Sequence, residues 1–283
     1  MSSLALAHAD TPQRVVSVGG STTEIVAALG AGTLLVGVDT TSLYPASVTE
    51  LPNIGYVRQL SAEGLLSLRP DIVLAGSEAG PATALAQARA AGIEIVTMSE
   101  GYTPEAVARH IETVGRVLGR KAEAADLLDA FKVDFATVEA DLARVTTKPR
   151  VLFILQTGRG ASLVSGTDTA AHAMIELAGG VNAVTEYTGY KPFSPEAAAL
   201  AAPDVILMTD QTVDTLGGKD SVLSEATFAA TPAGRDGRLV TMDALYLTGF
   251  GPRLAHAAHD LAVKLHPAHE FAPLPERAWT KAE

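Results

Sequence analysis

The spacing of hydrophobic positions changes several times within the first hundred residues, and this change predicts alternating strands and helices. Short β-branched runs such as Val15-Val16-Ser17-Val18 and Ile72-Val73-Leu74 are typical of buried strands. Between such runs lie stretches with helical spacing, over residues 22–29, 62–68 and 82–91. Strands that alternate with helices predict a parallel, doubly wound sheet.

The pattern then becomes purely helical from Pro104 to about residue 145. Thr103 followed by Pro104 is a favourable helix start, and Gly119 is a candidate break. Beyond Gly119, apolar residues recur at spacings of 3, 4, 3, 4 and 3, namely Leu128, Phe131, Phe135, Val138, Leu142 and Val145. This spacing predicts one apolar stripe along a helix of about seven turns, packed against flanking domains.

The strand-and-helix pattern restarts at Arg150 and repeats part of the first half. In the first copy, Leu60-Ser61-Ala62-Glu63 is followed after six residues by Pro70-Asp71-Ile72-Val73-Leu74. In the second copy, Phe193-Ser194-Pro195-Glu196 is followed after six residues by Pro203-Asp204-Val205-Ile206-Leu207. A Gly-Tyr pair precedes each copy, as Gly55-Tyr56 and Gly189-Tyr190. The match indicates an internal repeat, and therefore two related α/β lobes.

We expect these lobes to occupy residues 14–119 and 149–267, with a linking helix over 120–148 and a tail over 268–283. Residues 1–13 form the remaining segment, in which Leu4-Ala5-Leu6-Ala7-His8-Ala9 is typical of the end of an export signal. Ala7 and Ala9 fit the small-residue cleavage rule, although a basic n-region and a full h-region are missing. A signal remnant is therefore expected, and an ordinary frayed terminus stays open as the alternative.

Length, charge and cysteine content exclude or disfavour several classes of function for this chain. The 283 residues are enough for about two domains. With 21 Lys+Arg against 32 Asp+Glu, the formal net charge is −11, which disfavours nucleic acid or an anionic membrane as the main partner. No apolar run reaches the roughly 18 residues needed to cross a bilayer, so membrane insertion is not expected. The absence of cysteine excludes thiol catalysis, thiolate-bound zinc, iron–sulfur clusters and disulfides.

The residues give only weak support for two other kinds of site, a nucleotide-binding site and a metal site. Val18-Gly19-Gly20-Ser21 lies between a strand and a helix, with Asp39 about 20 residues on, but the G-x-G-x-x-G spacing of dinucleotide-binding loops is absent. The pairs His256/His259 and His266/His269 have a spacing typical of metal ligands, but no carboxylate is placed to complete either site. His172 lies in the predicted helix 169–177. No catalytic triad or pair of carboxylates stands out, so we expect no enzyme and no bound nucleotide.

Tyr56 and Arg58 are a more specific candidate. In an extended segment, residues two apart face the same way, so these two side chains are predicted to project together. A cation beside a phenol favours the phenolate, which is an anionic oxygen donor suited to ferric iron. A structural tyrosine with an accidental neighbour is the alternative that this pair alone leaves open.

Four segments of the chain carry the motifs of a known family. They are Gly19-Gly20-Ser21-Thr22-Thr23-Glu24-Ile25, then Gly37-Val38-Asp39-Thr40-Thr41-Ser42 with Tyr44-Pro45, then Gly55-Tyr56-Val57-Arg58-Gln59-Leu60-Ser61-Ala62-Glu63-Gly64, and Asp243-Ala244-Leu245-Tyr246-Leu247-Thr248-Gly249-Phe250-Gly251-Pro252-Arg253. Over about residues 14–265, the chain resembles the periplasmic haem-binding proteins of bacterial ABC haem importers. The first three segments together are specific for haem within a wider fold family that also carries cobalamin and ferric siderophores.

This resemblance implies a bilobal, periplasmic substrate-binding protein, in which one rigid helix joins the lobes and the ligand cleft lies between them. It implies that a monomer delivers haem to the permease dimer of an ABC importer, with a cobalamin or ferric-siderophore carrier as the alternative. Tyr56 is implied as the axial ligand to the haem iron and Arg58 as its support. Glu63 and Glu196 are implied as the acids that dock onto arginines of the permease, with stabilisation of a helix N-terminus as the alternative.

The resemblance also identifies residues of the second lobe. Tyr190, Tyr246 and Phe250 are candidate haem-pocket residues, with a place in the core as the alternative. Gln211 stands where some relatives carry an arginine that contacts the ligand tyrosine, so Arg58 is expected to act alone. Gln156-Thr157-Gly158-Arg159 lacks the histidine with which some relatives hold a second haem, so we expect one haem.

Overall fold

The computed structural model describes residues 11–156 and 162–281, and these residues divide into two compact units. The described residues of 1–100, 108–128 and 281–283 form the first unit, and those of 101–107 and 129–280 form the second. The segment up to residue 10, in which a signal remnant is expected, and the stretch 157–159 lie outside the described residues. The domain limits expected from the sequence stay a prediction.

A four-stranded parallel sheet forms the centre of the first unit, with strand order β2-β1-β3-β4. Its elements are β1 Val15–Val18, α1 Gly20–Ala28, β2 Leu35–Val38, α2 Ala62–Ser67, β3 Ile72–Ala75, α3 Ala82–Ala90 and β4 Glu94–Thr97, with 3-10 turns at Gly32–Leu34 and Ala46–Glu50. The residues of β1 and β3 are buried, as their β-branched runs predict. The predicted parallel sheet is confirmed.

Two helices follow, α4 Pro104–Val117 and α5 Lys121–Leu142. The predicted break at Gly119 is confirmed, because this glycine has a positive φ of 68°. With 22 residues, α5 has about six turns rather than seven, and Val145 lies beyond its end. The predicted apolar stripe is buried at its four positions from residue 128 to 138.

The second unit has a mixed sheet, of strand order β10-β9-β5-β6-β8 with β7 beside β5. Its elements are β5 Arg150–Gln156, β6 Ser162–Ser165, α6 Ala170–Leu177, β7 Val181–Asn182, β8 Tyr190–Phe193, α7 Pro195–Ala201, β9 Val205–Thr209, α8 Asp210–Thr215, α9 Lys219–Ser224, α10 Ala226–Ala229, α11 Pro232–Arg235, β10 Leu239–Met242, α12 Ala244–Thr248 and α13 Leu254–Leu265, with a 3-10 turn at Ala278–Thr280.

One strand of the second sheet, β6, departs from the parallel pairing seen in the first unit. β6 runs antiparallel to both β5 and β8, whereas β5, β7, β9 and β10 pair in parallel. Only five residues separate β5 from β6. A parallel connection needs a crossover of about a dozen residues, so this short link allows only an antiparallel neighbour.

Hydrogen bonds confirm the internal repeat. Ser61 caps α2 by accepting from the Gly64 amide, and Ser194 caps α7 by accepting from the Ala197 amide. The aspartates that precede β3 and β9 are also equivalent. Asp71 Oδ2 accepts from the Arg14 amide at 2.9 Å, and Asp204 Oδ2 accepts from the Arg150 amide at 2.8 Å. Each carboxylate therefore joins the starts of two neighbouring strands in its own unit.

The segment after α13 is held by the acidic face of α5. Asp134 and Asp141 are one heptad apart on this helix, and both are buried. The Asp134 carboxylate accepts two hydrogen bonds from the Arg277 guanidinium, at 2.6 and 3.1 Å. Asp141 Oδ2 accepts from the Ala272 amide at 2.7 Å. Much of the segment expected as a tail is thus fixed to α5 by charged hydrogen bonds.

Candidate functional site

Tyr56 lies at the carboxyl-terminal end of the first sheet. Residues 52–55 continue the pairing of β2, because the Val38 amide donates to the Pro52 carbonyl and the Ile54 amide donates to the Val38 carbonyl, each at 3.0 Å. The Thr40 amide then donates to the Gly55 carbonyl, also at 3.0 Å. In open α/β sheets, ligands bind beyond the carboxyl ends of the strands, so this edge is the expected place for a ligand.

The loop presents the Tyr56 side chain outward while its neighbours anchor it. Ile54 and Val57 are buried in the core of the first unit, whereas Tyr56 is 41% exposed. Gly55 makes the change of direction between them, with a φ of 96° that disfavours other residues. Tyr56 is therefore an exposed phenol on a backbone that is fixed on both sides.

The predicted geometry of the Tyr56–Arg58 pair is wrong. The Gln59 amide donates to the Tyr56 carbonyl at 2.8 Å, which closes a turn with Val57 and Arg58 at its centre. Because the chain turns here, the alternation of an extended segment does not apply. Within the part of the chain that the structure describes, the side chains of Tyr56 and Arg58 form no hydrogen bond with each other. The supporting role of Arg58 stays a prediction.

The glycine loop after β1 is occupied by a carboxylate of the protein itself. The Gly19 amide donates to Asp39 Oδ1 at 2.7 Å, and Asp39 is buried. In a dinucleotide-binding loop, such an amide would face a phosphate. Here the internal carboxylate takes that position, which gives a physical reason for the missing nucleotide motif.

The second unit brings Gln211 and Tyr246 to the carboxyl ends of adjacent strands. Gln211 follows β9, and its Nε2 donates to Asp243 Oδ2 at 2.8 Å. Asp243 follows β10 and caps α12, because its Oδ1 accepts from the Tyr246 amide. The Tyr246 hydroxyl donates to Asp260 Oδ2 at 2.9 Å, and the Arg253 guanidinium lies 5.0 Å from the centre of its ring. A sequence signal for Asp243 existed, since an aspartate before a helical run is a common N-cap.

Phe250 and Tyr190 have different surroundings. Phe250 is buried and packs edge-to-face on Tyr102, with 5.4 Å between ring centres. Tyr190 begins β8, is 37% exposed, and packs edge-to-face on Phe153 of β5. Phe250 therefore fits the core alternative, while Tyr190 keeps a ring surface open to solvent. Their roles in a haem pocket stay predictions.

Glu63 and Glu196 occupy equivalent positions in the first turns of α2 and α7. Both side chains are exposed. A hydrogen bond with the Ser194 side chain, followed by one with the backbone of Glu196, lowers the pKa of Glu196. At neutral pH this second acid is therefore a fixed negative charge on the surface of its unit.

Three of the four histidines in the two pairs form side-chain hydrogen bonds with backbone carbonyls. The Nε2 atoms of His256 and His259 lie 3.0 Å from the carbonyl oxygens of Pro275 and Ala272, and His266 Nε2 lies 3.2 Å from the Ala178 carbonyl. Over residues 11–156 and 162–281, no group of three or more His, Asp or Glu side chains is arranged to hold a metal ion. His256, His259 and His266 thus anchor neighbouring backbone, whereas His269 Nε2 is buried without a hydrogen-bond partner among the described residues.

The half-buried His110 and the buried His266 are expected to make stability depend on pH. Burial lowers the pKa of both side chains below the ordinary value of 6.5, with opposing hydrogen bonds from backbone at Ser99 and Ala178. The unfolded chain therefore takes up more protons as the pH falls through about 6.5, and the free energy of unfolding falls with it. We expect the melting temperature to decrease between pH 7 and pH 5.

The double variant His110→Gln/His266→Gln measures this contribution. Glutamine keeps a side-chain amide that can reach a carbonyl but cannot titrate, so the pH dependence in this range should become shallower. Thermal melts followed by circular dichroism at several pH values test the expectation. An unchanged slope in the variant would assign the pH dependence to other groups.

The chain matches the family model described as "Periplasmic binding protein" over residues 15–246. Among solved structures, it is 46% identical to the periplasmic heme-binding protein BhuT, a complex with two hemes, with a TM-score of 0.86 over 90% of this chain and 98% of that chain. It is 40% identical to the apo form of the periplasmic heme-binding protein RhuT from Roseiflexus sp. RS-1, with a TM-score of 0.87 over the same shares.

Curated relatives point to the same type of protein. The chain is 29% identical to an uncharacterized ABC transporter substrate-binding lipoprotein, YvrC, of Bacillus subtilis, over 90% of this chain and 81% of that protein. It is 25% identical to the vitamin B12-binding protein of Photorhabdus laumondii, over 90% and 88%. No helix in the described residues has the length and apolar character to cross a membrane. With the family match covering most of the sequence, this chain belongs to the periplasmic binding protein family.

Proposed function

We propose that this chain binds haem in the periplasm and delivers it to an ABC importer, as a substrate-binding protein rather than an enzyme. The observation that carries the proposal is the likeness to two heme-binding proteins, at 46% and 40% identity across nine-tenths of the chain. Haem is the cargo, bound and released without chemical change. The motifs shared with haem carriers are distributed from Gly19 to Arg253, so the likeness is not confined to one segment.

Tyr56 is the axial ligand in this proposal. Its exposed phenol lies at the carboxyl edge of the first sheet, on a loop whose backbone is held by the Thr40 and Gln59 amides. A tyrosine phenolate is a hard, anionic ligand for ferric haem. Arg58 follows in the same turn as a cation near the bound ligand, and Tyr190, Gln211, Tyr246 and Phe250 are the candidate pocket residues of the second unit.

The alternative cargo is cobalamin or a ferric siderophore. Cobalamin-binding relatives exist, but the chain is only 25–28% identical to them, against 46% for BhuT. An exposed tyrosine also favours a ferric centre over the cobalt of a corrinoid, because the phenolate is a hard oxygen donor.

Parallel titrations with hemin, cyanocobalamin and ferric enterobactin test the choice of cargo. We expect tight, saturable binding of hemin alone, followed by quenching of the single tryptophan or by calorimetry. Saturable binding of cyanocobalamin or the siderophore, with none of hemin, would overturn the proposal.

Glu63 and Glu196 are the proposed docking acids for the permease dimer. They lie at equivalent positions of the internal repeat, which suits a partner with two-fold symmetry. Each acid is accompanied by an exposed leucine on the same helix, Leu66 at 38% and Leu200 at 88% exposure. Exposed apolar side chains beside fixed charges suit a protein surface that is itself both basic and apolar.

Alanine variants of Glu63 and Glu196 test this docking. Each should weaken the stimulation of ATP hydrolysis by the haem permease of the same organism in nanodiscs, raising the half-maximal concentration by at least about tenfold. Hemin affinity should not change, because neither acid is among the proposed ligand and pocket residues. Glu139→Ala, which removes an exposed acid of α5, is the matched control. Full stimulation by the Glu63→Ala/Glu196→Ala variant would contradict the docking role.

A further inference from the structure

Asp39 is a buried carboxylate with a complete set of donors. It is 1% exposed. Its Oδ1 accepts from the Gly19 amide at 2.7 Å and from the Ser42 hydroxyl at 2.8 Å. Its Oδ2 accepts from the Thr41 amide at 2.9 Å and from the Thr41 hydroxyl at 2.6 Å. A buried carboxylate is costly unless such donors compensate it, so these four bonds fix the geometry of the loop after β2.

The same network reaches α1 and β1. The Thr23 hydroxyl lies 2.8 Å from the Ser17 hydroxyl and 2.7 Å from that of Ser42, and all three side chains are buried. The Asp39 carboxylate therefore joins the end of β1, the start of α1 and the loop after β2. These segments contain two of the sequence motifs, residues 19–25 and 37–42. Neither motif contains Tyr56, the proposed iron ligand.

One hydrogen bond connects this network to Tyr56. The Thr40 amide, between Asp39 and Thr41, donates to the Gly55 carbonyl at 3.0 Å. That carbonyl belongs to the peptide unit on the amino side of Tyr56. The Tyr56 carbonyl, on its other side, accepts from the Gln59 amide. The direction of the Tyr56 Cα–Cβ bond is thus set by two peptide units, one of which is held in place by the loop that Asp39 orders.

We propose that Asp39 is a positioning residue for Tyr56, which holds the phenol in the orientation that a ferric porphyrin needs before the ligand arrives. This inference rests on the proposed function, in which Tyr56 binds the haem iron. The physical basis is preorganisation: a ligand already held in its bound orientation does not lose conformational freedom on binding.

Asp39→Asn and Tyr56→Phe, separately and combined, test the inference. Asparagine keeps one acceptor oxygen but turns an amide donor toward the Thr41 donors, so the loop should loosen without a large change in volume. We expect hemin affinity to fall about tenfold, at the lower end of the loss that follows removal of a direct partner of a metal ligand, because Asp39 acts on Tyr56 through the Thr40–Gly55 hydrogen bond. We also expect the phenolate-to-iron charge-transfer band to shift or weaken at full occupancy. In the Tyr56→Phe background, Asp39→Asn should have no further effect on hemin affinity.

Asp71→Asn is the matched control. Asp71 also accepts two backbone amides in the first unit, from Gln13 and Arg14, but at the amino-terminal end of β1. This variant is expected to change stability and to leave both hemin affinity and the charge-transfer band as in the wild type. If Asp39→Asn does not fold, Ser42→Ala, which removes one donor to Oδ1, serves in its place and should shift the same band.

The possible results distinguish the positioning role of Asp39 from the role of Tyr56 as iron ligand. Wild-type affinity and an unchanged band in folded Asp39→Asn would overturn the positioning role. An equal loss of affinity in the wild-type and Tyr56→Phe backgrounds would overturn it as well, because the effect would then not act through the phenol. If Tyr56→Phe alone binds hemin as the wild type does, the ligand assignment itself fails.

Discussion

Tyr56→Phe should lower the affinity for hemin by more than about 100-fold and remove the phenolate-to-iron charge-transfer band. The substitution removes only the hydroxyl, so the ring and its surroundings are retained while the iron loses its oxygen donor. Loss of an outer partner of a metal ligand already costs about 10–100-fold, and loss of the ligand itself should cost more. Absorbance titration of the purified apo-protein with hemin measures both quantities.

Tyr187→Phe is the control for this experiment. Burial raises the pKa of Tyr187, and its hydroxyl donates to the Val164 carbonyl, so this tyrosine is a neutral phenol of the second unit at neutral pH. We expect the variant to bind hemin as the wild type does. If Tyr56→Phe keeps the wild-type spectrum and affinity, the iron ligand is a different residue.

Asp134→Ala should lower the free energy of unfolding by about 3 kcal/mol. The Asp134 side chain is 2% exposed and forms two hydrogen bonds with Arg277, which is 23% exposed. Removing the carboxylate leaves a largely buried guanidinium without its partner, and this is the costly way to break a buried ion pair. Chemical denaturation followed by circular dichroism measures the loss.

The same helix provides the control, Asp129→Ala. Asp129 lies 4.0 Å from Lys132, with both side chains mostly exposed, so its removal should cost less than about 1 kcal/mol. The double variant Asp134→Ala/Arg277→Ala should recover part of the stability, because no unpaired charge then remains. Equal small losses for Asp134→Ala and Asp129→Ala would mean that Arg277 does not fix the C-terminal segment to α5.

The elements that depend on local patterns were predictable from the sequence. β1 and β3 were predictable because their β-branched runs are buried, and Gly119 because a helix break needs a residue that accepts positive φ. The repeat was predictable because a serine cap and an aspartate before a strand make the same hydrogen bonds in both units. The strands, the helix break and the serine caps each depend on one short segment, and the aspartate bonds were predictable only because the two copies match in sequence.

Features that depend on contacts between distant segments, or on a turn that no residue type requires, were not predictable. The role of Asp39 required knowing that Gly19 and Ser42 meet its carboxylate. The Tyr56–Arg58 geometry failed because a turn closed by Gln59 replaced an extended segment, and no residue type in that stretch demands this turn. The pairing of Asp134 with Arg277 joins residues 143 positions apart, a distance over which a sequence pattern carries no information.

Titration of the wild-type apo-protein with hemin, followed by absorbance from the Soret to the charge-transfer region, tests the central claim most directly. The account predicts saturation at one equivalent, with a ferric high-spin spectrum that contains the phenolate charge-transfer band. Saturation at two equivalents, the number of hemes in the BhuT complex, would contradict the expectation of one haem and would leave haem binding as the function. A linear rise without saturation would contradict the proposed function itself.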